Sequence, residues 1–115
     1  MKPPDQPLDA RGLRFAIVAS RFNHEVTELL VEGALECFTA SGASDVPVEW
    51  VPGSFELPLA ARAIAETRGV DAVVALGARA GGVEGNKGWD AAATAIEMAA
   101  LMRRLEKPAE DAGPL

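Results

Sequence analysis

The sequence predicts an α/β domain in three layers, a parallel sheet with helices on both faces. Three observations carry that expectation. Short apolar runs at residues 13–19, 46–51 and 71–76 read as strands covered from both sides. The segments that follow the first two runs, and one long final segment, repeat apolar residues at steps of three and four, the period of a helix face. Strand and helix therefore alternate, an order that right-handed parallel crossovers satisfy.

Residues 1–12 hold three of the eight prolines and no apolar period, so they are expected to form an arm rather than a core element. The first strand, LRFAIVA at 13–19, runs into Ser20-Arg21-Phe22-Asn23, where the period changes. Val26, Leu29, Leu30, Gly33, Ala34, Cys37 and Phe38 then mark one face of a helix that Ser41-Gly42 ends. The second strand contains Pro47, which favours an early or edge position because proline donates nothing to a ladder. Pro52-Gly53-Ser54-Phe55-Glu56 turns the chain into a second helix. Leu59, Ala60, Ala63 and Ile64 are its expected inner face, Ser54 its expected cap, and Pro58 fits only its first turn. Gly69 stops it. After the third strand a glycine-rich loop leads to a last helix over about 88–105, apolar nearly all round, which predicts packing on two partners. Residues 107–115 read as a frayed tail.

A chain of 115 residues is one domain with a single core. No apolar run approaches the ~18 residues that span a bilayer, and the proline-rich start lacks a signal peptide's apolar centre. The net charge of −6 with scattered basic residues supplies no stripe to neutralise phosphates, which argues against nucleic acid. Arg103-Arg104 reads as a solvated helix end complementing the dipole. The lone Cys37 fits a small core residue in a reducing cytoplasm. With one Cys and one His, no metal-ligand spacing exists, and nothing in the chain implies a cofactor.

Ligands of open α/β sheets bind beyond the C-terminal strand ends. Here those ends carry Phe22, Asn23, Ser54, Phe55, Glu56, Ala78 and Arg79. Phe22 and Phe55 fall outside the apolar period, as flat faces for a heteroaromatic ring or as staples of a helix start. Glu56 suits a helix N-terminus with or without a ligand hydroxyl. Arg79 and Lys87 flank Gly81, Gly82, Gly85 and Gly88, a stretch open to an anion cradle or to a plain flexible loop. It matches neither GxxxxGK[ST] nor GxGxxG. His24, the only histidine, begins a helix with no nucleophile beside it in sequence, so no catalytic role is assigned to it.

Taken together, Ile17-Val18-Ala19-Ser20-Arg21-Phe22-Asn23, Trp50-Val51-Pro52-Gly53-Ser54-Phe55-Glu56-Leu57-Pro58, Ala72-Val73-Val74-Ala75-Leu76-Gly77-Ala78, and Gly85-Asn86-Lys87-Gly88 with Ala95-Ile96-Glu97-Met98 resemble the lumazine synthase family of riboflavin biosynthesis. The resemblance runs in order from Leu13 to Leu105. It implies a flavodoxin-like topology and condensation of a ribitylaminouracil with a dihydroxybutanone phosphate, without metal or cofactor. By this resemblance Phe22 stacks on the pyrimidinedione ring and Asn23 stands beside it. Ser54, Phe55 and Glu56 hold the ribityl chain and ring edge. Ala78 lines the pocket through its backbone, Arg79 binds the phosphate, and Lys87 lies close by. The family assembles as pentamers, some of them in icosahedral shells, so a homo-oligomer is implied.

The chain departs from that family at one join. Between Ala78 and Arg79 the family carries roughly 45 further residues, well beyond the dozen a parallel crossover needs. The family's catalytic histidine lies in that stretch, and His24 is not its equivalent. Val83-Glu84 also replaces the family's lysine-alanine in the glycine loop. The expected fold is therefore truncated to three strands, with an open edge at the third. The resemblance implies the synthase; a ligand-binding or co-assembling remnant is its alternative. A flavin-binding module ranks last, because no Ser/Thr-rich phosphate loop follows the first strand.

Overall fold

The structure is a computed structural model and describes residues 8–78 and 87–106. The central strand β1, Phe15–Ser20, is buried at all six positions, as its unbroken apolar run requires. It is flanked by β2, Val48–Val51, and β3, Ala72–Leu76, both parallel to it, in the order β2-β1-β3. The register sets Ile17 against Val48 on one side and against Val74 on the other. Pro47 precedes β2, and its carbonyl accepts the Ile17 N–H at 2.9 Å, so the proline contributes its acceptor at a sheet edge where no donor is needed.

Alternation along β1 divides the core in two. Phe15, Ile17 and Ala19 face α1, His24–Ala40, and α3, Lys87–Glu106; Ala16 and Val18 face α2, Leu57–Thr67. The result is the expected three-layer α/β sandwich. Its strand order is that of the first three strands of the flavodoxin-like 2-1-3-4-5 sheet. Phe15 and Phe38 anchor the larger core with ring centroids 4.6 Å apart.

Four local expectations change. The buried face of α1 uses Thr27 and Val31, with Leu29 turned outward and 60% exposed. On α2 the inner face is Leu57, Ala60, Ala61 and Ile64, whereas Leu59 is 76% exposed and Ala63 also faces out. The reason is the start point: a single 3-10 turn, Ser54–Glu56, precedes α2 and rotates its face by part of a turn. For the same reason Ser54 makes no capping bond. Finally, Ala10 is fully buried and its N–H donates to the Ser41 carbonyl at 2.7 Å, so the end of the arm seals the bottom of α1.

The last helix packs on α1 and β3 together. Gly88 is buried in its first turn, and a Cβ there would overlap the Leu30 backbone of α1. Its role among the described residues is thus close helix approach, a third reading beside the anion cradle and the flexible loop that its spacing left open. At the other end Arg103 donates to Asp71 at 3.1–3.3 Å, and Asp71 also accepts the Arg14 N–H at 2.7 Å. Arg103 is therefore a tie between α3 and the sheet rather than a merely solvated end.

Candidate functional site

Parallel strands end at one side of the sheet, and the candidate residues follow from that. Arg21 N–H donates to the Val51 carbonyl at 2.8 Å, so β1 and β2 stop level with one another. The chain must then reverse from β1 into α1 within three residues. Asn23 does this in the left-handed region (φ 56°, ψ 50°), and its carbonyl accepts the Val26 and Thr27 N–H groups at 2.9 and 3.1 Å. Asparagine tolerates this conformation better than other residues with a Cβ, so Asn23 has a conformational duty of its own. The reversal leaves Phe22 60% exposed.

Across the strand ends, Gly53 leads into the 3-10 turn that carries Ser54, Phe55 and Glu56, all three exposed. Phe55 is 98% exposed. Neither ring is folded back as a staple of a helix start. Gly77, just after β3, completes the arrangement: a Cβ there would lie 2.7 Å from Ser54 Oγ and 3.1 Å from Leu57 Cδ1. The missing side chain lets the end of β3 touch the turn after β2 across the central strand. Spacing gave Gly77 no separate role; its signal was a glycine ending an apolar strand. Ala78 follows it, buried.

The strand ends therefore gather Phe22, Asn23, Ser54, Phe55, Glu56 and Ala78. Lys87 lines a separate groove beside β3, with Nζ 4.0 Å from Asp90. Arg79, Gly81, Gly82, Val83, Glu84 and Gly85 lie outside the described residues, as do 1–7 and 107–115. One further group belongs to this end of the sheet. Ser20, the last residue of β1, is fully buried, and its hydroxyl has no hydrogen-bond partner among the described residues.

The chemistry of these strand ends is that of a binding surface: two exposed rings, a carboxylate, a hydroxyl and backbone. His24 stands at its margin, its ring 4.9 Å from that of Trp50 and its Nδ1 3.7 Å from Glu28. The ring contact ties the start of α1 to β2, and the Glu28 contact lies within α1. Among the described residues no group of three His, Cys, Asp or Glu side chains could hold a metal ion, and no helix is long and apolar enough to cross a membrane.

Comparison with known proteins agrees with this geometry. The family model for 6,7-dimethyl-8-ribityllumazine synthase matches residues 12–78, which is β1 through the residues just past β3. A protein of that name from Thermus thermophilus is 48% identical over 103 residues, covering 88% of this chain and 66% of the relative. This chain thus spans just under two thirds of that relative's length. Namesakes from Aquifex aeolicus and Clostridium kluyveri are 36% and 34% identical, over alignments of 146 and 154 residues that take in 95% and 100% of those proteins. Only 85% and 92% of this 115-residue chain take part, so roughly fifty positions of each relative have no counterpart here, several times the dozen of a minimal parallel crossover. With more than half of its length matched by the family model, the chain belongs to the 6,7-dimethyl-8-ribityllumazine synthase family.

Proposed function

We propose that the chain acts in riboflavin biosynthesis as a lumazine synthase, condensing 5-amino-6-(D-ribitylamino)uracil with 3,4-dihydroxy-2-butanone 4-phosphate. The observation that carries this reading is the convergence of Phe22 with Ser54, Phe55 and Glu56 at one end of the sheet, with both rings free of the core. Phe22 offers its face to the pyrimidinedione, where stacking contributes about 0.5–1.5 kcal/mol beyond buried area. Ser54 and Glu56 supply an alcohol and a carboxylate to the ribityl hydroxyls, and Asn23 and Ala78 frame the ring. Arg79 takes the phosphate with Lys87 nearby. The uracil's own amine condenses with the ketone carbonyl with loss of water, phosphate is eliminated, and the ribityl-bearing nitrogen closes the ring with loss of a second water, so the protein's work is mainly to position two reactants. The chain works in the cytoplasm as a homo-oligomer built from pentamers.

A second reading has its own observation. The family match stops at Ala78, and about fifty positions of the longer relatives have no counterpart here, a stretch several times a minimal crossover. A site without general acid–base help there would lose about 10²–10⁴-fold in rate, leaving a chain that binds ligand or co-assembles. Titration with a ribityl-purine substrate analogue, paired with an assay of lumazine formation, decides between the two. Binding with turnover supports the synthase, and binding alone supports the remnant. Loss of both, in a chain that melts cooperatively, refutes the site.

A further inference from the structure

The two edges of this sheet are built differently. The outer strand β2 carries a charged residue, Glu49, which pairs with Arg68 at 3.3 Å. A charge on an edge strand is a usual defence against added strands. The edge strand β3 has none. Its sequence is Ala72-Val73-Val74-Ala75-Leu76, and no strand lies beside it among the described residues. Alongside runs a groove of about 540 Å³, floored by Ala72–Ala75 and walled by Ala91, Thr94, Ala95 and Met98 of α3, with Lys87 and Asp90 at one end. Five residues of strand span about 17 Å, so edge and groove together present one unbroken apolar track.

The length comparison says what fits there. The family match ends two residues after β3, and the longer relatives carry roughly fifty positions that this chain lacks, ample for a parallel crossover and its strand. We infer that the β3 edge and its groove are a docking site for an extended apolar strand supplied by a second polypeptide, one that carries the stretch the relatives have and this chain lacks. Main-chain pairing to β3 would supply affinity, and alternate side chains entering the groove would supply selectivity. The inference rests on the fold and the length difference, and it holds whether or not the chain turns over substrate.

The test mixes the purified chain with a synthetic polypeptide copying the Aquifex aeolicus stretch that has no counterpart here. A scrambled polypeptide serves as control. The expected result is saturable one-to-one binding, with hydrogen exchange at residues 72–76 slowed at least tenfold. Met98→Glu and Ala95→Lys, both in the groove wall, should weaken binding at least tenfold, whereas Leu59→Glu on the opposite face should not. Exchange in β1 reports that each variant is folded. Unchanged exchange in β3 overturns the inference, as does binding indifferent to both groove variants. Concentration-dependent protection of β3 in the chain alone also overturns it, by assigning the edge to a second copy.

Discussion

Replacing Gly88 by alanine gives a prediction whose sign separates two readings of the same residue. As a plain position in the first turn of a helix, glycine to alanine gains at most the propensity that an interior turn would give, about 1 kcal/mol. As part of an anion loop it would leave stability nearly unchanged. The structure gives a third answer, because the added methyl would meet the O, C and Cα atoms of Leu30. All three are backbone atoms of α1, so no rotamer change relieves the overlap and one helix must move. Overpacking of this kind costs about 1–3 kcal/mol, and the rigid neighbour argues for the upper half of that range. After the propensity gain, a net loss of about 1–2 kcal/mol remains. At roughly 4–8 °C per kcal/mol for domains near this size, the melting temperature should fall by about 5–15 °C. Urea unfolding followed by the fluorescence of Trp50 and Trp89 measures it. A Gly88→Ala chain as stable as the parent, or more stable, would refute the close approach of α3 to α1.

Three other outcomes are expected. Cys37 is fully buried, and burial pushes its thiol above the ordinary 9.0; it should resist alkylation at neutral pH until the chain unfolds, with a rate that tracks global opening. This acid's folded value is raised, so the stability linked to it is present below 9.0 and is lost as the pH climbs through the raised value. Asp9 is held at about 2, against an ordinary 3.8, chiefly by side-chain hydrogen bonding from Arg11 at 2.9 Å. Its depressed value makes the contact complete above 3.8 and lost as the pH falls through about 2; carboxyl NMR titration should show that midpoint, and Arg11→Ala should return it toward 3.8. Ser20→Ala removes a buried hydroxyl that makes no bond among the described residues, so it should leave stability unchanged or raise it by about 1 kcal/mol, the low end of the penalty for a buried unpaired group. A loss of 1 kcal/mol or more in a denaturant melt would show that the hydroxyl is bonded.

Much of this architecture was legible because it depends on local periods. β1 reads directly as a strand covered on both faces: its first five residues are apolar without alternation, and all six are buried. The strand ends were legible for a related reason, since large rings have little cause to occupy solvated turns. What escaped sequence reading depended on contacts between distant segments. Helical spacing places Leu29 on the inner face of α1; in the fold Val31 joins the core cluster shared with α3 and Leu29 turns outward. The face of α2 shifted because a 3-10 turn consumed Ser54 to Glu56 before the α-helix began. Gly77 had no separate role in the sequence and Gly88 read as part of a glycine-rich loop, yet each is defined by the atom a Cβ would strike, Ser54 Oγ in one case and the Leu30 backbone in the other.

These contacts divide the candidate site into two parts with different supports. The proposed ring-binding part stands on turns after β1 and β2, whose strands are joined along the whole length of β2. Lys87 stands on α3, which is held to α1 by the Leu30–Gly88 approach at one end and to the sheet by the Asp71–Arg103 pair at the other. Arg103→Ala should therefore act on one part only. Asp71 keeps the Arg14 N–H at 2.7 Å, so no carboxylate is stranded, and the loss is that of a half-exposed ion pair, about 1 kcal/mol or less. Hydrogen exchange should quicken in the last turns of α3 by about fivefold, the equivalent of that energy, and stay unchanged in β1. Affinity for a ribityl-purine analogue should also stay unchanged, because the contacts proposed for it lie at the β1 and β2 ends. Equal acceleration in β1 and α3 would mean that the sheet and the last helix open as one unit, and that the site has a single support.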